Sequence, residues 1–157
     1  VNRTFEAVTE PVSQLSYGET AKCLAWLPDS DKSLLVGTFK KLKVYDTHTI
    51  IRGTAQADVI AHSRAVMGAK FDPFDNNRLV TYSDDGFIKI WDIRKLQNKG
   101  AVLVIAANRK LAQLEWCPTR RHILAGIGRG EAAITTWNVS SGSSTSPPPA
   151  ASTFSSS

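Results

Sequence analysis

His62, Ser83 and Asp85 are the three residue types of a hydrolytic triad, and they occur within one stretch of the chain. Such a triad needs an exposed serine, a histidine that accepts its proton and N–H donors aimed at the oxyanion. The sequence has no Gly-x-Ser-x-Gly turn around Ser83 and no substitute for one. We therefore expect no catalytic residue and a protein that is not an enzyme.

A second candidate for chemistry is the glycine-rich segment Gly126-Ile127-Gly128-Arg129-Gly130. A phosphate-binding loop of this kind lies between a strand and a helix, because the helix N-terminus supplies part of the anion site. Residues 131–137, which follow, have the pattern of another strand. The segment is therefore predicted to be a hairpin, and no cofactor is expected.

Metal ligands are also few. Cys23 and Cys117 are far apart in the chain, and the histidines are His48, His62 and His122. A structural zinc site takes four nitrogen or sulfur ligands, usually from closely spaced pairs, and no such pair occurs here. We expect no metal, and two thiols in a chain without a recognisable secretion signal fit a reducing compartment.

Composition argues against two classes of partner. Although 19 Lys and Arg stand against 14 Asp and Glu, the basic residues are scattered in ones and twos rather than clustered. The longest apolar run, residues 101–107, is far shorter than the roughly 20 residues that span a bilayer. We expect no nucleic acid partner and no direct membrane insertion.

The elements that position these residues follow from an internal repeat. Aromatic residues recur at two positions in each of three units, spaced by 45 residues at the first position and by 46 at the second. These residues are Trp26, Phe71 and Trp116, then Tyr45, Trp91 and Trp137. All six are expected in the core of the repeat.

Each unit has the pattern of short strands separated by turns. One run alternates, the next is a short apolar block, and the third is rich in β-branched and aromatic residues, while Asp85-Gly86 is a strong hairpin signal. Fourth strands are predicted at residues 102–106 and, in the first unit, at residues 49–52. Four antiparallel strands in about 45 residues are typical of a propeller blade. We predict an all-β partial β-propeller of about three four-stranded blades, at residues 21–58, 62–107 and 110–139, with the first or last blade partly incomplete.

The two ends of the chain differ from the repeat. Residues 1–20, with a candidate strand at Phe5–Val8, are expected to finish a preceding blade or to form a linker. The chain lacks an initiator methionine, which suggests a piece of a longer protein. Residues 140–157 are rich in serine and proline and carry no charge, so we expect a disordered tail.

The segment Ser83-Asp84-Asp85-Gly86-Phe87-Ile88-Lys89-Ile90-Trp91-Asp92 resembles the signature of WD-repeat propellers. The other end of that signature, usually Gly-His, is present as Ala61-His62. The resemblance implies a buried hydrogen-bonded set of four residues: His62, Ser83, Asp85 and Trp91. In the first unit Phe39 takes the place of the aspartate, and in the third Glu131 does. Those two units are therefore expected to depend more on packing.

A closer resemblance covers roughly residues 9–139. The order and spacing of Asp72-Pro73-Phe74, Trp91-Asp92-Ile93-Arg94 and Trp116-Cys117-Pro118-Thr119-Arg120 are similar to those in the propeller of the Mio (missing-oocyte) family. Members of that family are large subunits of a GATOR- or SEA-type assembly that acts at the lysosomal or vacuolar membrane upstream of the TOR kinase. The resemblance implies a non-catalytic scaffold whose partners are other protein subunits, located in the cytoplasm at that membrane surface.

An alternative function follows from Trp91-Asp92-Ile93-Arg94, which also resembles the Trp-Asp-x-Arg motif of WD-repeat substrate receptors of cullin ubiquitin ligases. Arg64, Asp84 and Arg94 lie in connecting segments and are the candidates for partner contacts.

Three blades do not close a ring, so two apolar faces are expected to stay open. Ala21, Leu24 and Trp26 would be half covered at one end. Leu114, Trp116 and Ile134 would be half covered at the other end.

Overall fold

The computed structural model describes Gln14, residues 19–48 and residues 53–140. Within these ranges the regular structure consists of antiparallel strands and one 3-10 turn, Ile93–Lys95. The expectations for residues 1–13, including the strand at Phe5–Val8, and for the tail from residue 141 lie outside the described residues.

The strands form three consecutive sheets. The first contains β1 (Cys23–Trp26), β2 (Ser33–Gly37), β3 (Lys41–Asp46) and β4 (Ala57–Ile60). The second contains β5 (Val66–Asp72), β6 (Asp75–Ser83), β7 (Phe87–Asp92) and β8 (Leu103–Ala106). The third contains β9 (Leu111–Trp116), β10 (Ile123–Gly128) and β11 (Ile134–Asn138). The all-β, partial-propeller prediction is confirmed.

The same cross-strand register recurs in every sheet. Leu34 pairs with Tyr45, and Leu79 pairs with Trp91 in the same way. Leu124 pairs with Trp137 in the third sheet. The periods of 45 and 46 residues seen in the sequence therefore correspond to three copies of one strand arrangement.

The core consists of two layers, each between neighbouring sheets. One buries apolar residues of the first sheet against the second, including Leu35, Leu42, Leu79 and Trp91. The other buries residues of the second sheet against the third, including Val80, Ile90, Leu114 and Trp116. Facing sheets hold one another in place by removing this apolar surface from water.

Polar contacts at Arg78 of β6 strengthen the second layer. Its guanidinium donates to Val139 O at 2.7 Å and lies 2.6 Å from His122 Nδ1. It also lies over the Trp116 ring, 5.5 Å from the ring centre. A residue of the second sheet thus binds the chain immediately before β10 and after β11.

The fourth strand of the second sheet, Leu103–Ala106, lies where it was predicted, whereas that of the first sheet does not. In the first sheet the fourth strand is Ala57–Ile60, whereas the strand predicted at residues 49–52 lies outside the described residues. The observed strand extends two residues past residue 58, the expected end of the unit. Ala57 and Val59 face the core, which gives this strand its alternating burial. In the third sheet the described residues supply three strands. The last blade is therefore incomplete within residues 110–139, as the prediction allowed.

Burial of the repeat aromatics also departs from expectation. Tyr45 and Trp116 are buried, whereas Phe71 and Trp137 are partly buried against the core. Trp26 is 55% exposed, because no described sheet covers the outer face of β1. The prediction that Trp26 fills the core is therefore wrong for this chain.

Candidate functional site

Four buried side chains of the second sheet form one hydrogen-bonded chain. Trp91 Nε1 donates to Thr81 Oγ1 at 2.9 Å, and that hydroxyl lies 2.8 Å from His62 Nε2. The His62 Nδ1 atom lies 2.9 Å from Asp85 Oδ2. A neutral imidazole with its proton on Nδ1 satisfies every member, since Thr81 then donates to Nε2 and Asp85 accepts.

The hydroxyl in this chain belongs to Thr81 and not to Ser83, which corrects the expectation from the WD-repeat resemblance. Ser83 lies two residues further along β6, beside the hairpin, where its Oγ accepts the Asp85 N–H at 3.1 Å. Side chains two residues apart share a face of a strand, so both hydroxyls point to the same side. Of these two hydroxyls, that of Thr81 accepts the hydrogen bond from the Trp91 indole. The available signal in the sequence was a second hydroxyl residue two positions before Ser83 on the same strand.

Burial and hydrogen bonding set the protonation of the pair. Desolvation lowers the pKa of His62 and outweighs the opposing effect of the Asp85 carboxylate. Desolvation acts to raise the pKa of Asp85. The N–H donors of Phe87 and Ser63, together with the His62 ring, outweigh this effect, so the pKa of Asp85 is lowered overall. A neutral histidine therefore faces an ionised aspartate.

This geometry joins chain segments and leaves no free nucleophile. Both ring nitrogens of His62 are engaged, and Ser83 is only 2% exposed. Asp85 also accepts the N–H groups of Phe87 and Ser63, at 3.0 Å and 3.1 Å. The network thus links the loop before β5, strand β6, the hairpin after it and the end of β7.

The third sheet replaces the histidine–aspartate pair with an ion pair that the sequence reasoning missed. Arg109 Nη1 lies 2.6 Å from Glu131 Oε2, and both side chains are about one-third exposed. Gly126 takes the position of Thr81, and a Cβ there would lie 3.0 Å from the Trp137 ring. The spacing of Arg109 and Glu131, which nearly matches that of His62 and Asp85, was the available signal.

The first sheet has an aromatic residue at the corresponding hairpin. Phe39, which stands where the aspartate would be, is 56% exposed. Tyr45, in the position of Trp91, is 2% exposed and fills the core.

The three loop candidates do not lie together. Arg64 and Asp84 are at the same end of the second sheet, where Asp84 N donates to Ala65 O at 3.1 Å. Arg94 follows β7, which runs antiparallel to β6, and so lies at the opposite end. Its guanidinium forks onto the Asp92 carboxylate at 2.9 Å and 2.7 Å, while Asp84 pairs with Arg129 at 2.9 Å.

Two other features are absent from the described part of the chain. Residues 19–48 and 53–140 bring together no group of three or more histidine, cysteine, aspartate or glutamate side chains suited to a metal ion. The same ranges hold no helix with the length and apolar character needed to cross a bilayer.

Comparison with known proteins gives matches over most of the chain. The family model described as "MIOS, WD40 repeat" matches residues 2–150. "GATOR2 complex protein MIOS" of Dictyostelium discoideum is 38% identical over 136 residues, covering 85% of this chain and 12% of that protein. "GATOR2 complex protein MIOS-A" of Xenopus laevis is 31% identical over 128 residues, covering 82% of this chain and 14% of that protein. The chain thus spans about an eighth of the length of these relatives.

A solved structure supports the fold alone. A chain of "Crystal Structure of Mitotic Checkpoint Complex" superposes with a TM-score of 0.66 at 19% sequence identity, covering 82% of this chain and 40% of that one.

Proposed function

Since the chain belongs to the MIOS WD40-repeat family, we propose that it is a non-catalytic scaffold, part of a subunit of a GATOR2-type complex that regulates amino-acid signalling to the TOR kinase. Relatives of 38% and 31% identity bear the name of that complex, which supports the assignment. We further propose that it acts in the cytoplasm at the lysosomal or vacuolar surface, and that its blades comprise residues 21–60, 62–107 and 110–139.

The observation that carries a scaffold role is the buried network of His62, Thr81, Asp85 and Trp91. The polar groups of these four side chains hydrogen-bond to one another and fix the loops at one end of the second sheet. Loops held by a rigid sheet present their side chains in constant positions, which is what binding to other subunits requires. An enzyme would instead need a reactive group with access to substrate.

Co-purification of the full-length tagged protein tests this function. We expect recovery of the other GATOR2-type subunits, identified by mass spectrometry, in stoichiometric amounts. Recovery of a cullin adaptor in place of those subunits would contradict the proposal and favour the ubiquitin-ligase receptor.

Arg94 provides the control. In the receptor hypothesis the arginine of the Trp-Asp-x-Arg motif contacts the adaptor, whereas here its guanidinium is bound to Asp92. We therefore expect Arg94→Ala to leave the recovery of GATOR2-type subunits unchanged. Selective loss of a cullin adaptor in this variant would identify the alternative.

A further inference from the structure

Five loops at one end of the sheets form a continuous surface, called the loop face here. Backbone hydrogen bonds connect them in order: Val66 N donates to Thr38 O at 3.0 Å, Asp84 N to Ala65 O at 3.1 Å, and Ala107 N to Gly86 O at 2.9 Å. Arg129 N donates to Lys110 O at 2.9 Å and so adds the last loop. The loop face comprises residues 38–40, 62–65, 84–86, 107–110 and 129–131.

Positive charge predominates on the loop face. Arg109 pairs with Glu131, and Arg129 pairs with Asp84, so these four charges are matched within the chain. The third carboxylate, Asp85, is only 4% exposed and binds His62. Three other cations of the face are exposed and have no carboxylate partner among residues 19–48 and 53–140. They are Lys40, Arg64 and Lys110.

An exposed aromatic ring lies among these cations. Phe39 is 56% exposed at the tip of the β2–β3 hairpin, and the Lys40 ammonium lies 5.7 Å from its ring centre. The neighbouring loop is close, since Lys40 O accepts the N–H of His62 at 3.1 Å. In the second sheet the equivalent position holds Asp85, whose carboxylate accepts the Phe87 N–H within the same hairpin. The Phe39 side chain has no polar atom and cannot make such a hydrogen bond.

We propose that the loop face is a docking surface for an acidic peptide segment of a partner protein, with Lys40, Arg64 and Lys110 binding its carboxylates and Phe39 contacting one apolar side chain. Aromatic residues are enriched at protein interfaces, and a positively charged patch is complementary to a negatively charged partner. The carboxylates of Asp84, which is partly buried, and of Glu131 interrupt the positive charge and oppose a continuous polyanion. A nucleic acid backbone is therefore a poorer fit than a peptide with spaced acidic residues.

Fluorescence anisotropy on the full-length protein tests this proposal. The probe is a fluorescein-labelled peptide of alternating glutamate and glycine with one central leucine, and its counterpart has glutamine in place of glutamate. We expect binding of the glutamate peptide that weakens with added salt, because the contacts are between exposed charges. No binding of the glutamate peptide at low salt, or equal binding of the glutamine peptide, would overturn the proposal.

Two double variants with the same change of charge locate the site. Lys40→Glu with Arg64→Glu alters the loop face, and Lys99→Glu with Arg120→Glu alters exposed cations at the opposite end of the sheets. We expect the first to weaken peptide binding about tenfold, equivalent to about 1.4 kcal/mol, and the second to leave it within about twofold. Equal losses would place the binding elsewhere. Matching thermal melting curves for the two double variants ensure that unfolding does not cause the loss of peptide binding.

Further arms separate the remaining outcomes. Phe39→Ala, which keeps all charges, is expected to weaken peptide binding about threefold. Tighter binding of duplex DNA or of phosphatidylserine vesicles than of the peptide, lost in the same loop-face variant, would overturn the peptide assignment.

The docking surface is independent of membership in a GATOR2-type complex. Failure of peptide binding with normal co-purification contradicts only the docking surface, whereas failed co-purification contradicts only the proposed function.

Discussion

Thr81 is the residue on which the buried polar groups of the second sheet converge. Its single hydroxyl accepts from the Trp91 indole and faces the acceptor nitrogen of His62. A hydroxyl can donate one hydrogen bond and accept others, so that of Thr81 connects the indole donor to the imidazole acceptor. The correction from Ser83 to Thr81 therefore changes which substitution should break the network.

Replacing Thr81 by valine keeps the shape of the side chain and removes the hydroxyl. We expect Thr81→Val to lower the free energy of unfolding by about 1–3 kcal/mol, because His62 Nε2 and the Trp91 N–H are left buried without partners. Urea unfolding measures the change. Ser83→Ala, which removes only the contact to Asp85 N, is expected to cost less, and the reverse order would contradict the observed network.

Asp85 and Glu131 occupy corresponding hairpins in very different surroundings. We expect Asp85→Ala to lower the free energy of unfolding by about 2–4 kcal/mol, since His62 and two backbone N–H groups lose a buried charged partner. Glu131→Ala should cost less than about 1 kcal/mol, because its pair with Arg109 is exposed to solvent. Thermal and urea unfolding of the two variants provide the comparison. Equal losses would mean that the buried pair contributes no more than the exposed one.

The protonation of His62 predicts how stability depends on pH. Its pKa is lowered in the folded state, mainly by desolvation, so the unfolded chain binds a proton first as the pH falls. We therefore expect the contribution of His62 to be complete above its unfolded pKa of about 6.5 and to be lost as the pH falls below that value. The lowered pKa of Asp85 adds a second loss at more acidic pH.

Urea unfolding at a series of pH values measures this dependence. His62→Asn should flatten the profile between about pH 7 and pH 5, whereas the same change at the exposed His48 should leave most of the slope. A wild-type profile that is already flat over that interval would be inconsistent with a neutral, buried His62.

At the scale of the elements, the packing of β5 against β6 depends on a missing side chain. A Cβ at Gly68 would overlap the ring of Tyr82, a residue that is itself only 6% exposed. The ring is enclosed by the core between the second and third sheets, so it cannot easily move aside. This glycine is therefore required by close approach between neighbouring strands.

We expect Gly68→Ala to lower the free energy of unfolding by about 1–3 kcal/mol through overpacking. Gly100→Ala is the matched control, because no atom lies within 4 Å of a Cβ at Gly100. Its effect should stay within about 0.5 kcal/mol. Chemical denaturation of both variants checks the prediction, and a smaller cost at Gly68 than at Gly100 would show that the Tyr82 ring has room to move.

At the scale of the whole molecule, the outer faces of the first and third sheets are uncovered within the described residues. Leu24 is 63% exposed and Trp26 55% exposed on one face, while Ile134 is 64% exposed on the other. Leu114 and Trp116, expected to be half covered, are buried because they face the second sheet. The far open face is therefore made by β10 and β11, through residues such as Ile127 and Ile134.

We expect the isolated 157-residue chain to self-associate and to bind a hydrophobic dye, since exposed apolar patches of this kind favour association. Sedimentation velocity and dye fluorescence measure both properties. Leu24→Lys together with Trp26→Lys should reduce dye binding and increase the monomer fraction. A monodisperse monomer with a cooperative melt and no dye binding would contradict the expectation.

The repeat in the sequence was sufficient to predict three antiparallel sheets and the hairpin at Asp85-Gly86. Those features depend on local patterns that recur at a constant spacing, and strand pairing between neighbours in the chain preserves that spacing. His62, Asp85 and Trp91 could be named in advance for a different reason, the resemblance of this part of the chain to the WD-repeat signature.

Tertiary structure alone decided which partners and which faces these residues have. Whether Thr81 or Ser83 meets the indole depends on the cross-strand register, which two hydroxyls on one strand face leave ambiguous. The contact of Arg109 with Glu131 joins two loops that are separate in the sequence. Trp26 is exposed and Trp116 is buried because, among the described residues, a second sheet lies alongside only the latter. Equivalent positions in a repeat have the same local pattern but different neighbours, and burial is a property of the neighbours.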